Sequence, residues 1–238
     1  MLYKTRGIIL KKIMHADNKM IIHVFTSEYG YKSYMSYFSL RKDKKKLLSL
    51  FIPLAVVELL IEQKQATSMG YIKETHLIHT TSPYSFNIEK ASISQFLNEA
   101  LLKILWQCGS DVELYDFIEK ALIKFDESSF TPDFHLRFLL HLTDYLGCFP
   151  ENNYSKENAL FNCKKARFEK GNDAKDTELD ECLHSLMQQD LFANHWQSVV
   201  PVHLRNPLLK TILSYYTEHI VNLSTLKSQE VLHMVLRN

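Results

Sequence analysis

The 238-residue chain is poor in the residues that build compact catalytic loops, with only six glycines, six prolines and four cysteines. The glycines form neither G-x-G-x-x-G nor G-x-x-x-x-G-K, the common phosphate-binding loops. No G-x-S-x-G is present either, which removes the usual nucleophile turn of hydrolases. The sequence therefore predicts a protein that is not an enzyme and needs no cofactor. A hydrolase remains as an alternative, to be decided by whether any cleft gathers a nucleophile and a base.

The four cysteines, at positions 108, 148, 163 and 182, lie 40, 15 and 19 residues apart. None forms a C-x-x-C pair, so the chain lacks the close-spaced ligands of a metal knuckle. Without a secretory context, separated cysteines of this kind are reduced thiols that pack as small apolar side chains. The sequence predicts no disulfide.

Long apolar runs are also missing. The longest, Leu47 to Ile61, is interrupted by Ser49, Pro53 and Glu58, whereas a membrane span needs roughly 18 or more apolar residues in succession. The first residues, MLYKTRGIILKK, do not have the long apolar segment of a secretory signal. We expect a cytoplasmic protein that makes no contact with a membrane.

Charge is distributed unevenly along the chain, although its total is only +1. Residues 1 to 70 hold 12 Lys and Arg against 5 Asp and Glu, a net charge of +7. Residues 71 to 238 hold 16 against 22, a net charge of −6. A basic part joined to an acidic part is expected when one domain alone binds a polyanion.

The first 80 residues have the pattern of a small β-barrel. Five short runs rich in β-branched and aromatic residues are separated by turns, and the second and third, MIIHVFT and YKSYMSYF, flank the tight turn SEYG. LAVVELLIEQ and YIKETHLIH form a second predicted hairpin. Five strands with no long helix among them predict an OB-fold domain over residues 1–80.

Beyond Pro83 the apolar residues recur at three-and-four spacing, which is typical of amphipathic helices. This period predicts helices over 88–106, 112–125 and 134–147, and again over 179–187, 207–221 and 228–236. Residues 149–176 are polar and irregular. The overall prediction is a two-domain α+β protein, with an all-α domain over 81–238 that contains this insert.

Five cations lie within six residues on the loop after the third strand: Arg41, Lys42, Lys44, Lys45 and Lys46. The strand before them carries Lys32, Tyr34 and Tyr37. Single-stranded nucleic acid is bound by this combination, because cations follow the phosphates while aromatic rings stack on bases. We therefore interpret the loop, with Lys32 and Tyr34, as a DNA-binding site. A solvated basic loop is the alternative.

Three stretches resemble the RecO family of bacterial recombination mediators. They are GIILKKIMHADNKMIIHVFTSEYGYKSYMSY in the barrel, LRFLLHLTDYLGCFPE in the third helix and LKSQEVL near the end of the chain. The resemblance implies an OB-fold followed by a helical domain, with no chemistry of its own. It also implies binding of single- and double-stranded DNA, strand annealing, and association with the bacterial nucleoid.

The resemblance further implies protein partners. With RecR, such a protein helps to load RecA onto DNA coated by single-stranded DNA-binding protein, whose acidic C-terminal tail would dock on the helical domain. We expect Arg137 in LRFLL to meet that tail, because a sheltered Arg offers a charge-assisted contact. The alternative function is an adaptor without DNA binding, whose basic loop meets an acidic protein.

The chain departs from the family pattern after the third helix. Many members carry a four-cysteine zinc knuckle there, but this region offers only Cys163 and Cys182. Two ligands do not make a structural zinc site. We expect the knuckle to be degenerate or absent, with a metal completed by Cys148 and a histidine as the alternative.

Overall fold

The computed structural model describes residues 1–16, 18–37, 48–65, 68–80, 87–171, 177–193 and 197–236. Five long strands occupy the N-terminal part of the chain. They are β1 (Leu2–Ala16), β2 (Lys19–Thr26), β3 (Gly30–Tyr37), β4 (Val56–Glu62) and β5 (Gly70–His79).

These strands close into a barrel in the order β1-β2-β3-β5-β4. All neighbours are antiparallel except β3 and β5, which pair in parallel through Tyr34–Ser36 and Gly70–Ile72. Both predicted hairpins, β2–β3 and β4–β5, are present. The predicted OB-like barrel is therefore confirmed.

Side chains along each strand point alternately into and out of the barrel. In β2, Met20, Ile22 and Val24 are fully buried, while the residues between them are only partly covered. Leu59 and Ile61 of β4 join them in one apolar core, together with β1, β3 and β5 residues. The barrel thus has an apolar interior and directs its alternate residues outward.

Six helices are described beyond the barrel. They are α1 (Ile88–Ile104), α2 (Val112–Glu127), α3 (Phe134–Tyr145), α4 (Thr177–Met187), α5 (Val202–His219) and α6 (Ser228–Val235). The predicted helical region is confirmed. None of the described helices is long and apolar enough to cross a membrane.

Two details differ from the predictions. The helix predicted to begin at Pro207 begins at Val202, after Pro201, and Pro207 lies inside it. Pro207 is the sixth residue of the helix, so it lacks the amide that would donate to the His203 carbonyl, and the helix continues past it despite that lost hydrogen bond. The insert over 149–176 also contains a small two-stranded sheet, β6 (Leu160–Asn162) with β7 (Arg167–Glu169).

The chain divides into two compact units. The barrel unit contains residues 1–86 and 98–127, and the helical unit contains residues 87–97 and 128–238. The domain boundary predicted near residue 80 remains a prediction. The barrel unit also includes α2, which packs on the barrel. Tyr115 of α2 packs on Phe25 with ring centroids 6.0 Å apart, and buried Glu119 accepts a hydrogen bond from Arg6.

Candidate nucleic-acid interface

The outward residues of β2 and β3 form one continuous surface, which adjoins β5. Antiparallel pairing places His23 opposite Ser33, Ile21 opposite Met35 and Lys19 opposite Tyr37. The parallel pairing of β3 with β5 places Met35 beside Tyr71. We call this surface the outer face; its members are Lys19, Ile21, His23, Tyr31, Ser33, Met35, Tyr37 and Tyr71.

One end of the outer face is an aromatic platform with a cation above it. The rings of Tyr37 and Tyr71 stack with centroids 5.6 Å apart and planes 22° apart. Lys19 Nζ lies 5.3 Å from the centroid of the Tyr37 ring, within range of a cation–π interaction. Tyr37 is nevertheless 46% exposed. A flat ring and a fixed positive charge are therefore presented together to solvent.

Towards the other end, the outer face is held by a hydrogen-bonded histidine. The Nδ1 atom of His23 lies 2.8 Å from Tyr31 Oη and 2.9 Å from Ser33 Oγ. Partial burial lowers the pKa of His23, and the nearby Lys11 ammonium lowers it further. His23 is therefore neutral near pH 7 and contributes a ring rather than a charge.

The predicted DNA-binding residues have different positions. Lys32 is exposed on β3, as a phosphate contact requires. Tyr34 is only 2% exposed and belongs to the barrel core, so the prediction that its ring stacks on a base is wrong. Its pKa is raised far above the ordinary value, chiefly by burial. The basic loop, Arg41, Lys42, Lys44, Lys45 and Lys46, lies outside the described residues.

Sequence reasoning missed Lys19 and Tyr71 and set Tyr37 aside in favour of Tyr34. The signal was available in the β2–β3 hairpin. Because Ile22 is opposite Tyr34, and Lys19 is opposite Tyr37, the apolar residues of β2 mark Tyr34 as inward and Tyr37 as outward.

Arg137, the predicted partner-binding cation, is a structural residue. It is 1% exposed, and its Nη2 lies 3.2 Å from Asp133 Oδ2 and donates to the carbonyl of Gln197. Asp133 Oδ2 also accepts a hydrogen bond from the Val199 amide at 3.0 Å. The guanidinium therefore ties α3 to the segment before α5, and the prediction that it meets a partner is wrong because no solvent reaches it.

A cavity of about 410 Å³ in the helical unit lies near this buried pair. Half-buried Arg205 contributes to its wall, and Arg205 Nε lies 3.3 Å from the Val200 carbonyl oxygen. Buried His135 also lines it, with an Nδ1 atom that has no hydrogen-bond partner among the described residues. The remaining wall is mainly apolar and includes Leu209, Leu232 and Leu236.

The region of the expected zinc knuckle carries a salt-bridged hairpin. Lys165 and Arg167 both pair with Glu169, at 2.8 and 3.1 Å, and these contacts lower the pKa of Glu169 to about 2. Cys163 and Cys182 are free thiols, and burial raises the pKa of each. Across the described residues, no group of three or more His, Cys, Asp or Glu side chains could hold a metal ion.

Comparison with known proteins identifies the family to which the chain is related. The model for "Recombination protein O N terminal" matches residues 1–81, the segment that contains the barrel. DNA repair protein RecO of Azobacteroides pseudotrichonymphae is 33% identical over 245 residues, with 99% of each chain covered. The chain belongs to the RecO family. DNA repair protein RecO of Flavobacterium johnsoniae is 29% identical, with 96% of this chain and 97% of the relative covered. A RecO protein from Porphyromonas gingivalis is 32% identical over 154 residues.

Membership in the RecO family makes this chain a DNA repair and recombination protein. The resemblance found in three stretches of sequence is thereby confirmed over nearly the whole chain. The OB-like barrel is the part that the family model covers.

Proposed function

We propose that this RecO-family protein is a non-catalytic recombination mediator that binds single- and double-stranded DNA on its barrel and promotes annealing of complementary strands. With RecR, it helps to load RecA onto DNA coated by single-stranded DNA-binding protein. The observation that carries the proposal is the stacked pair Tyr37 and Tyr71 with Lys19 above it, on the outside of a five-stranded barrel.

The position of this platform favours single-stranded DNA as the ligand. OB-folds bind oligonucleotides on the surface formed by their second and third strands. A base stacked on an aromatic side chain contributes about 1 to 3 kcal/mol, without reading the sequence. Phosphates beside the stacked bases would meet Lys19. Lys32 is exposed on the other side of β3, opposite Val24, and stays a predicted phosphate contact. The five cations at 41–46 begin four positions after Tyr37 in the sequence, and we include them in the proposed site.

We assign the acidic tail of single-stranded DNA-binding protein to the cavity beside Arg205 rather than to Arg137. Such an acidic tail needs an apolar pocket with one accessible cation for a charge-assisted contact. The cavity offers Leu209, Leu232 and Leu236 as the pocket and Arg205 as the cation. Arg137 has no comparable access.

The proposal is tested by fluorescence anisotropy of a labelled single-stranded oligonucleotide at several salt concentrations. Each phosphate contact with a single strand contributes about 0.7 to the slope of log K against log salt. A variant with Arg41, Lys42, Lys44, Lys45 and Lys46 replaced by alanine should lose up to about 3 to 4 of that slope. The matched control removes five cations from the helical unit, Lys156, Lys164, Lys170, Lys210 and Lys227, and should keep the wild-type slope.

The adaptor function is the second candidate, because the helical unit has a largely apolar cavity of about 410 Å³ of its own. The same titration separates the two functions. If wild-type protein does not bind the oligonucleotide even at low salt, the mediator proposal fails and the adaptor becomes the better account.

A further inference from the structure

The segment that follows α1 is fixed against the start of β3. The Tyr31 amide donates to the Cys108 carbonyl at 2.9 Å, and Ser110 Oγ lies 3.4 Å from the Ser27 carbonyl oxygen. Gly30 has a left-handed backbone, φ +67°, and a Cβ atom there would lie 2.2 Å from the Gly109 carbonyl oxygen. Only glycine allows so close an approach. The position of this segment is therefore closely determined.

A tight turn in the segment presents a large ring to solvent. Leu105 is fully buried, but the next residue, Trp106, is 56% exposed. The turn is closed by a hydrogen bond of 2.9 Å from the Cys108 amide to the Leu105 carbonyl. It places Gln107 at φ +63°, a conformation that non-glycine residues rarely adopt. Backbone strain is more frequent at functional sites, and here its consequence is an exposed tryptophan.

Trp106 continues the outer face beyond the barrel strands. Its ring packs on Tyr31 with centroids 5.0 Å apart, and Tyr31 stacks on His23 with centroids 5.9 Å apart. We propose that Trp106 is a second base-stacking residue for single-stranded DNA, at the opposite end of the outer face from Tyr37 and Tyr71. This inference rests on the proposed DNA binding and extends the site past residue 81, where the family match ends.

The surroundings of Trp106 suit a polyanion rather than an apolar protein surface. Lys11, which is exposed, pairs with His23 across the β1–β2 ladder and therefore lies on the same face. A cation thus lies beside the Trp106–Tyr31–His23 row, as Lys19 accompanies the platform at the other end. Aromatic rings with cations beside them are the combination that binds single strands.

The distance between the two ends of the outer face sets the length of oligonucleotide that can reach both. Tyr37 lies six positions after Tyr31 along an extended strand, which corresponds to roughly 20 Å. A short oligonucleotide can stack at one end only, whereas a longer one reaches both. OB-folds bind about 4 to 16 nucleotides, so this transition should fall inside that range.

The test uses tryptophan fluorescence of the full-length chain, which has only two tryptophans, Trp106 and Trp196. In a Trp196→Phe variant, Trp106 is the sole reporter. Oligo-dT added at low salt should quench its emission, because a stacked thymine accepts an electron from the excited indole and returns it without light emission. Quenching should saturate at the same oligonucleotide concentration as the anisotropy signal, and it should be larger for oligonucleotides long enough to reach both ends.

Affinity gives the second readout. Trp106→Ala should raise the Kd for oligo-dT roughly 5- to 100-fold, whereas Trp106→Phe, which retains a ring, should restore most of the affinity. Val112→Ala removes a similarly exposed apolar side chain from the barrel unit and should leave the Kd unchanged. The quenching experiment keeps Trp106 intact, so it decides the matter even if Trp106→Ala folds poorly.

Two outcomes would overturn the inference in different ways. Tight oligo-dT binding with unchanged Trp106 emission shows that the outer face works without Trp106, and the proposed function then stands alone. No binding of oligo-dT by the wild-type chain removes the proposed function and the role of Trp106 together.

Discussion

The described strands of the barrel bury no charged side chain, whereas the helical unit buries an ion pair. The interior of the barrel is apolar, and the buried polar residues on its described strands, such as Thr26 and Ser36, are uncharged. The helical unit encloses Asp133 and Arg137, which are 0% and 1% exposed, together with buried His135. Both parts contain a cation that sequence reasoning marked as functional, but Lys32 is exposed and Arg137 is not.

This difference shows that the place of a cation in the fold decides its role. An exposed lysine keeps its hydration and can exchange it for a phosphate. A buried guanidinium has already lost its water, and it is stable only because a carboxylate and a backbone carbonyl replace that water. Exposed barrel lysines such as Lys32 are therefore available for binding, whereas the buried charges of the helical unit hold its helices and connecting segments in place.

The largest expected effect is at the buried ion pair. Arg137→Ala should lower the free energy of unfolding by about 3 to 5 kcal/mol, because it leaves Asp133 buried without its counter-ion. Lys32→Ala, the corresponding change on the barrel, should alter stability by less than about 0.5 kcal/mol. Urea titrations followed by circular dichroism measure both. Equal effects of the two substitutions would contradict the contrast between the two parts.

Two glycines with positive φ sharpen the comparison. Gly30→Ala in the barrel unit should cost about 2 kcal/mol or more, because φ is +67° and the new Cβ would meet the Gly109 backbone. Gly147→Ala, after α3, has φ +73° but open space around it, so about 1 kcal/mol is expected. Thermal unfolding of the two variants shows which substitution is the more destabilising. The packing argument fails if Gly147→Ala is the more damaging change.

Acid should destabilise the helical unit through His135. Burial lowers its pKa to about 3, and the nearby Arg205 charge adds to the shift. The unfolded chain, with an ordinary pKa near 6.5, therefore binds the proton more readily, and stability falls as pH drops from about 6.5 towards 3. The loss should reach about 2 kcal/mol at pH 5.

The control for this prediction is His135→Gln, which cannot gain the proton. Urea titrations at pH 7 and pH 5 should show a smaller difference for this variant than for the wild type. Some difference should remain, since burial also lowers the pKa of His141. An unchanged pH dependence in His135→Gln would mean that His135 has the same pKa in the folded and unfolded chain, which would contradict the prediction.

Much of the fold follows from the local pattern of the sequence. The strand and helix periods locate the five strands and the six helices, since each period reports the side of an element that is buried. The inward direction of Tyr34 could also have been predicted, because the turn between β2 and β3 places it opposite apolar Ile22. The choice of Tyr34 over Tyr37 was an error of register, not a lack of information.

The remaining features depend on residues far apart in the chain. Asp133 and Arg137 are four residues apart on a helix, a spacing that occurs equally in solvated pairs. Their burial depends on Gln197 and Val199, more than 50 residues later. The exposure of Trp106 likewise depends on contacts between its segment and Gly30 and Tyr31. Such positions can be obtained only from tertiary structure.

The most direct test of the outer face compares two double variants of the barrel in oligo-dT binding by fluorescence anisotropy. Tyr37→Ala with Tyr71→Ala removes the platform, and Leu77→Ala with Ile78→Ala removes apolar side chains of similar exposure from β5. Because the two tyrosines form one stacked platform, their loss should raise the Kd roughly 5- to 100-fold, while the β5 control stays at the wild-type value. Unchanged affinity in the tyrosine variant, or an equal loss in both, would contradict the assignment of DNA binding to the outer face.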